Sequence, residues 1–248
     1  MIFMEEGVGN CDTHGFYSGS ACPICGSRGK YLLYPDEVEG LGRIMAGILR
    51  HFPDKYGIKL SKSGFAHIYS MVPAIKAQKH RYGFITPLHI EAIGKTDRKG
   101  RYEVNEDGDI RATYDHTIPI DLSDLPTDHI PELLFYQTTE EEFSILKETG
   151  ISPSDKTYIH LSDTFRKAYV SGMFHADRPL IIGINAHDLN LTEAVYRASN
   201  EVFLTKNIPP EFIVSINQQE VNLTENEKEE IRNFKIRIEK KLLGEKRY

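Results

Sequence analysis

Every cysteine of the chain lies in one short segment near the N-terminus, at a spacing that suits a metal ion. Two residues separate Cys11 from His14, and two separate Cys22 from Cys25. Such gaps let paired side chains on a tight turn point at one ion, and four thiolate or imidazole ligands complete a tetrahedral Zn²⁺ shell. A full shell leaves no open position for chemistry, so the sequence predicts a structural zinc site. The alternative is three incidental thiols.

Three other segments combine side chains that suit phosphate and proton-transfer chemistry. They are Leu49-Arg50-His51, the stretch from Arg111 to His116, and His160-Leu161-Ser162. An arginine fork binds phosphate oxygens in pairs, and a histidine exchanges a proton near neutral pH. Each segment also has an ordinary structural explanation, since helix C-termini favour cations, hairpin arginines are commonly solvated and a strand histidine is more often part of a core.

A helix and a hairpin are predicted to position these arginines. Apolar residues recur at helical spacing immediately before Arg50: Leu41, Ile44, Met45, Ile48 and Leu49. Pro53 ends this pattern, because proline disfavours helical geometry in the residue before it. Arg50 and His51 are therefore expected in the last turn, at the edge of their lobe. Strand patterns at 101–104 and 109–112 flank a turn that ends in glycine, which predicts a hairpin with Arg111 on its polar face.

Short strands and helices alternate through the rest of the chain. Helical patterns occur at 87–93, 140–148 and 163–171, and strand patterns at 133–136, 158–161, 179–184, 202–204 and 212–214. A final charged helix is predicted from the capping box Thr224–Glu227 to about Leu243, as a solvated tail-piece. The expected fold class is α+β.

Charge is unevenly distributed along the chain. Residues 36–101 contain twelve Lys/Arg and six Asp/Glu, whereas the whole chain carries a net charge of −6. A basic segment in an acidic protein suits a polyanion held by one lobe, and the alternative is a solvated surface with a lysine excess. No stretch is apolar over the length of a membrane span, and no secretory signal is recognised, so a cytoplasmic location is expected.

Taken together and in order, the motifs resemble those of the RNA 2′-phosphotransferase family. The shared patterns are Leu49-Arg50-His51, Lys99-Gly100-Arg101-Tyr102-Glu103, Ile110-Arg111-Ala112 with His116, His160-Leu161-Ser162, and Ile208-Pro209-Pro210-Glu211-Phe212-Ile213. The resemblance covers residues from about 40 to 215. The Cys/His segment before it is similar to the zinc-binding extension of archaeal members.

The resemblance implies a fold and a domain division. A small zinc knuckle (1–35) would precede a winged-helix-like, RNA-binding lobe (36–118). An ADP-ribosyltransferase-like lobe (119–248) would then bind NAD⁺ in the cleft between the two lobes.

The resemblance also implies a reaction. The RNA 2′-phosphate attacks the anomeric carbon of the nicotinamide ribose and expels nicotinamide. The adjacent 2″-hydroxyl then attacks the phosphate, which releases 2′-hydroxyl RNA and ADP-ribose 1″,2″-cyclic phosphate. The expected substrate is an RNA, namely a tRNA that carries a 2′-phosphate, and the oligomeric state is left open.

Residue roles follow from the same resemblance. The catalytic residues would be Arg50, His51 and Arg111, converging on one anion. The NAD-binding residues would be Gln137, Thr138, Thr139, His160 and Ser162. Further contacts to the substrate phosphate are assigned to Arg101, His116 and Arg178.

The chain departs from the family pattern at three places. Gln137-Thr138-Thr139 replaces His-Gly-Thr, Asp115-His116 replaces Gly-His, and Phe174 stands where the family has a fourth arginine. Arg178 or Arg166 could reach the same phosphate from a shifted position. Two other functions stay open on these grounds: an ADP-ribosyltransferase acting on nucleic-acid ends, and a non-catalytic, zinc-containing nucleic-acid-binding protein.

Overall fold

The computed structural model describes residues 6–242. The cysteine-containing segment forms a small antiparallel sheet of β1 (Val8–Cys11), β2 (Gly15–Ser18) and β3 (Lys30–Leu33), in the order β2-β1-β3. The sequence patterns did not indicate these strands, because each is only four residues long. Val8 and Leu33 are buried against the helices that follow, so the segment is fixed to the rest of the protein.

The middle of the chain is a helical unit with a second small sheet. It comprises α1 (Pro35–Arg50), β4 (Ala66–His67), α2 (Ile68–Gln78), α3 (Pro87–Thr96), β5 (Tyr102–Val104) and β6 (Asp109–Ala112). The strands lie in the order β4-β6-β5. The predicted α1, α3 and hairpin are confirmed; α2 and β4 were not predicted individually.

The end of α1 is set by local chemistry. Its apolar face, with Leu41, Met45 and Ile48 fully buried, packs in the largest hydrophobic core. The N–H of Tyr34 donates to the carboxylate of Glu37 over 2.8 Å, which caps the first turn. The helix ends at Arg50, three residues before Pro53, as the sequence predicts.

A six-stranded sheet forms the remainder of the fold. Its strands are β7 (Leu133–Thr138), β8 (Ile159–Ser162), β9 (Leu180–Asn185), β10 (Tyr196–Arg197), β11 (Val202–Thr205) and β12 (Ile213–Val214). They lie in the order β10-β11-β8-β7-β9-β12, and the neighbouring strands are antiparallel. Its helices are α4 (Glu140–Thr149), α5 (Phe165–Gly172) and the short α6 (Ala186–Leu189). The expected α+β class is confirmed.

The last helix, α7 (Glu225–Leu242), is docked at its start rather than solvated throughout. Arg166 donates two hydrogen bonds, of 2.9 and 2.8 Å, to the carboxylate of Glu227, which is 2% exposed. This bidentate contact holds the pKa of Glu227 at about 2. Phe234 packs edge-on against Phe174 with 5.4 Å between ring centroids. The tail-piece prediction is therefore wrong for the first turns, and Leu243 lies outside the described residues.

No helix in the described range has the length and apolar character needed to cross a bilayer.

Candidate active site and metal centre

The four predicted metal ligands come together in the N-terminal sheet. The ligand atoms of Cys11, His14, Cys22 and Cys25 all lie within 4.8 Å of one another. Sγ of Cys11 is 3.7 Å from Sγ of Cys25 and 3.6 Å from Nδ1 of His14. Tetrahedral zinc with Zn–S bonds of about 2.3 Å separates its sulfur ligands by about 3.8 Å, so the side chains fit that ion.

Turn geometry and electrostatics also suit a metal. Gly15 and Gly26 adopt φ of +76° and +72°, which lets the chain reverse after each ligand pair. Hydrogen bonds from the Ser27 hydroxyl and from nearby backbone N–H groups lower the pKa of Cys11 to about 6. A thiol that ionises readily is the form that binds zinc.

Arg50 is buried, in contrast to the lobe-edge position that was expected. It is 7% exposed, and its guanidinium carbon lies 4.8 Å from the centroid of the Tyr114 ring. The loop after β6 covers it, since the N–H of Thr117 donates to the Arg50 carbonyl over 3.0 Å. A contact of 3.3 Å joins Nη1 of Arg50 to the Asp115 carboxylate.

Two nitrogens of this guanidinium are left without a partner. Within the described chain, Nε and Nη2 of Arg50 are buried and donate no hydrogen bond, and the two buried ring nitrogens of His116 likewise have no hydrogen-bond partner. Leaving a buried polar group unsatisfied costs about 1–3 kcal/mol, and more when the group is charged. Such groups in a native fold call for a ligand, an ion or water.

Arg50, His116 and the side chains around them are called the active-site cluster. His51 lies beside Arg50 and His116, half-buried at the end of α1. Its Nδ1 is 3.1 Å from the Thr117 hydroxyl, and that hydroxyl is also placed to donate to the Arg50 carbonyl at 3.5 Å. A hydroxyl that donates to the carbonyl accepts from Nδ1–H, which leaves Nε2 of His51 as a proton acceptor.

Asp115 and Lys156 complete the cluster, although no sequence pattern singled out Lys156. Nζ of Lys156 forms a salt bridge with the Asp115 carboxylate. Asp115 adopts φ of +74°, a left-handed conformation that glycine takes without strain, at the position where the family pattern has glycine. The N–H of Asp115 donates to Nε2 of His160 over 3.0 Å, which connects the cluster to β8.

The histidines of the cluster are held neutral. Burial lowers the pKa of His116 to about 4, with the charge of Arg50 adding to the effect. Burial and then Lys156 lower the pKa of His160 to about 4. Burial also lowers the pKa of His51. Burial would raise the pKa of Asp115, but Lys156 and Arg50 bring it below its usual range. At neutral pH the cluster therefore contains two cations, one carboxylate and three uncharged imidazoles.

Arg111 is buried and paired with carboxylates. Its guanidinium contacts Glu103 at 2.7 Å and Asp124 at 2.8 Å, and it lies 4.5 Å from the centroid of the Phe65 ring. One link from Arg111 towards His116 runs through residues 63 and 64. Arg111 donates to the Ser63 carbonyl over 3.3 Å, and a Cβ placed on the next residue, Gly64, would lie 3.8 Å from Nε2 of His116. The structure thus brings Arg50, His51 and His116 together and places Arg111 in a neighbouring contact network.

The other candidate phosphate contacts have different surroundings. Arg101 donates from Nε to the buried carboxylate of Asp97 over 2.8 Å. Arg178 is exposed, beside the buried Pro179. Phe174, at the position of the family's fourth arginine, is uncharged and packs against α7. Arg166 forms a salt bridge with Glu227, so it does not supply the missing positive charge to the cluster.

A cavity of 330 Å³ opens beside the cluster. Four of the five predicted NAD-binding residues line it: Gln137, Thr138, Thr139 and His160. Ser162 does not line this cavity; it pairs with Phe135 and Val202 inside the sheet. Lys156 and His175 also line the cavity and were not predicted. The one sequence signal that could have indicated His175 is its position directly after Phe174, in the motif that departs from the family pattern.

Comparison with known proteins assigns the chain to a family. Residues 36–207 match the model of the "RNA 2'-phosphotransferase, Tpt1 / KptA family". A probable RNA 2′-phosphotransferase of Thermoplasma acidophilum is 47% identical over 219 residues, which cover 88% of this chain and 92% of the relative. That of Thermoplasma volcanium is 41% identical, covering 90% and 94%. One from Archaeoglobus fulgidus is 36% identical, covering 85% and 94%.

The match spans most of the chain and of each relative. The matched residues 36–207 include Arg50, Asp115 and Lys156. The expected family is therefore confirmed: the chain belongs to the RNA 2′-phosphotransferases, which are NAD-dependent enzymes.

Proposed function

We propose that the 2′-phosphate of the RNA binds at Arg50, between His51 and the cavity beside β7 and β8. The observation that carries this proposal is the pair of buried, unpartnered nitrogens on the Arg50 guanidinium. A phosphate oxygen accepts from two guanidinium nitrogens at once, and such charge-assisted pairs are about twice as strong as neutral hydrogen bonds. Lys156 supplies a second cation near the same anion.

The cavity is proposed to receive NAD⁺ through Gln137, Thr138, Thr139 and His160, with Ser162 supporting the strand behind it. A volume of 330 Å³ and a mixture of polar and apolar walls suit part of a dinucleotide. When bound, NAD⁺ supplies the anomeric carbon that the RNA phosphate attacks and the ribose hydroxyl for the second step. The protein contributes position, since Arg50 fixes the phosphate beside the cavity in which the ribose lies.

His51 is assigned to proton transfer in the second step. Its Nε2 is free to accept a proton, because Nδ1 faces Thr117. The lowered pKa keeps the ring neutral near pH 7, the form in which it can take the proton of the attacking ribose hydroxyl. Arg50 and Lys156 then stabilise the charge that develops on the phosphoryl oxygens.

Arg111 is proposed as the second arginine of the reaction, on the resemblance of Ile110-Arg111-Ala112 to the family motif. Its contact with the Ser63 carbonyl supports a role next to the phosphate, because the neighbouring Gly64 is close enough to His116 that a Cβ there would lie 3.8 Å from Nε2. If the phosphate displaced Glu103 or Asp124, the guanidinium of Arg111 would bind the phosphate instead of that carboxylate. His116 is proposed to donate to the same anion, and Arg101 and Arg178 stay predicted contacts to the substrate phosphate.

The remaining assignments rest on the same family relationship. The Cys3His cluster (Cys11, His14, Cys22 and Cys25) is proposed to hold structural zinc. The proposed division is a zinc knuckle at 1–35, a winged-helix-like RNA lobe at 36–118 and an ADP-ribosyltransferase-like lobe at 119–248. The proposed substrate is a tRNA carrying a 2′-phosphate, and the proposed location is the cytoplasm.

One experiment tests the site. The variants Arg50→Ala, His51→Ala and Arg111→Ala are incubated with NAD⁺ and an oligonucleotide carrying an internal 2′-phosphate, and nicotinamide and ADP-ribose 1″,2″-cyclic phosphate are quantified. Loss of cyclic phosphate in each variant is expected. Full activity of all three would overturn the assignment. A stable ADP-ribosylated RNA without cyclic phosphate, in the wild-type protein, would favour an ADP-ribosyltransferase instead.

A further inference from the structure

A basic groove lies next to the candidate active site and adjoins the NAD cavity. Its volume is 710 Å³, and its charged lining residues are Lys62, Lys156, Lys206 and Asp121. The three lysines come from segments that are distant in sequence: the loop before β4, the loop before β8 and the residue after β11. Lys62 and Lys206 are exposed, and neither forms a salt bridge with a carboxylate in the described part of the chain. The groove therefore has a net positive charge, since Lys62 and Lys206 face one lining carboxylate, that of Asp121.

The groove is continuous with the reaction site. Pro153, Lys156 and Tyr158 line both the groove and the NAD cavity. The opposite wall, Pro119 to Asp121, begins two residues after Thr117, whose N–H is bonded to the Arg50 carbonyl. Two residues of extended chain span at most about 7 Å, so this wall starts close to Thr117 and to the backbone of Arg50.

Local contacts hold the groove walls in place. The N–H of Asp121 donates to the Lys62 carbonyl over 2.9 Å. The Tyr158 hydroxyl accepts from the N–H of Leu122 over 3.1 Å, and Nζ of Lys206 lies 5.4 Å from the centroid of the Tyr158 ring. Hydrogen bonds from Ser123 and then the charges of Lys206 and Lys62 lower the pKa of Asp121. Lys62 and Lys206 therefore both act electrostatically on Asp121 in the groove wall.

We infer that this groove binds the ribose-phosphate backbone of the RNA strand flanking the 2′-phosphate, with Lys62 and Lys206 contacting successive phosphates beyond Lys156. Lysine ammonium groups distributed along a channel neutralise consecutive phosphates without reading bases. The apolar surfaces of Pro119, Ile120 and Pro153 offer packing for sugars between them. This inference rests on the phosphate site proposed at Arg50.

The test compares RNAs of two lengths with the double variant Lys62→Ala/Lys206→Ala. Binding of a 2′-phosphorylated 15-mer is measured by fluorescence anisotropy over a range of salt, and turnover is measured on the 15-mer and on a trinucleotide with the same internal 2′-phosphate. The slope of log Kd against log salt for the 15-mer should fall by about 1.4, since each lost contact to a single strand removes about 0.7. Kd should rise about tenfold at 0.15 M salt. Turnover of the trinucleotide should not change.

Matched variants separate charge from folding. Lys62→Arg/Lys206→Arg should bind like wild type, and Lys79→Ala, an exposed lysine at the end of α2, should have no effect. Asp121→Asn should tighten binding of the 15-mer, because it removes the groove's one acidic wall residue. An unchanged salt slope, or an equal loss on both RNAs, would overturn the groove. If Arg50→Ala stays active on the trinucleotide, the phosphate site proposed at Arg50 is wrong, whatever result the groove variants give.

Discussion

The backbone N–H of Asp115 donates a hydrogen bond to Nε2 of His160 over 3.0 Å. This contact joins the loop that follows β6 to strand β8, so residues from both halves of the chain are held at one site. It also makes Nε2 the acceptor, which places the ring proton of His160 on Nδ1. The carboxylate of Asp115 meanwhile contacts Arg50 and Lys156, the two cations closest to the proposed phosphate.

Asp115 is expected to compete with the RNA phosphate for these cations. Asp115→Asn should lower the KM for 2′-phosphorylated RNA about tenfold, because the change removes the negative charge that Asp115 places beside Arg50 and Lys156. Asparagine tolerates positive φ as aspartate does, so the loop should keep its shape. Steady-state kinetics at saturating NAD⁺ measure the effect. Asp115→Gly is the matched control, and a fall in KM for glycine alone would attribute the effect to the backbone.

Arg50→Met should separate catalysis from stability. Methionine fills a similar volume and lacks the two unpartnered nitrogens of Arg50, so the melting temperature should change by only a few degrees. The value of kcat/KM should fall by at least about 100-fold, as for the loss of a group that stabilises charge in the transition state. Both quantities are measured on the same preparation, with Arg50→Lys as the charge-retaining control. A large drop in melting temperature would indicate a structural role for Arg50.

Activity should persist to lower pH than an ordinary histidine base would allow. The pKa of His51 lies below 6.5, since burial disfavours its charged form. The neutral ring is the active form, so kcat should be constant at neutral pH and fall only as the pH drops below 6.5. A pH profile of single-turnover rates tests this. In His51→Gln most of the activity should be lost, and the fall in rate at acidic pH should disappear. If that acidic fall persisted in the variant, another group would be responsible for it.

Stability should also decline in acid. His116 and His160 have pKa values of about 4 in the folded protein and near 6.5 when unfolded, so the unfolded state binds more protons between these values. The stability is complete above about pH 6.5 and is lost as the pH falls towards 4, by up to about 3 kcal/mol per histidine. Urea unfolding across this range measures the loss. His116→Gln should make the slope shallower, and an unchanged slope would contradict the assignment.

The Cys3His cluster should contain one tightly bound zinc ion. Elemental analysis of the purified protein is expected to give about one zinc per chain, and chelation should lower the melting temperature, because metal binding contributes to folding. His14→Ala should lose the metal, whereas His14→Cys, which restores four ligands, should retain it. Zinc-free protein with an unchanged melting curve would show that the cluster is not a metal site.

The sequence by itself determined the features that depend on near neighbours. The spacing of Cys11, His14, Cys22 and Cys25 predicted one cluster, because a two-residue gap on a turn brings side chains together wherever the segment lies. Likewise the apolar periodicity before Arg50 and the proline after it predicted where α1 ends. Together with the order of the motifs, these local signals sufficed to identify the family.

Only the tertiary structure decided which distant groups share an environment. Lys156 faces Asp115 because β8 lies beside the loop after β6, and no pattern within either segment encodes that contact. Burial of Arg50 under Tyr114, and the pairing of Arg111 with Asp124, likewise depend on how the chain returns after the hairpin. The charge state of a buried histidine depends on burial and on neighbouring charges, and those are properties of the packed chain rather than of any segment.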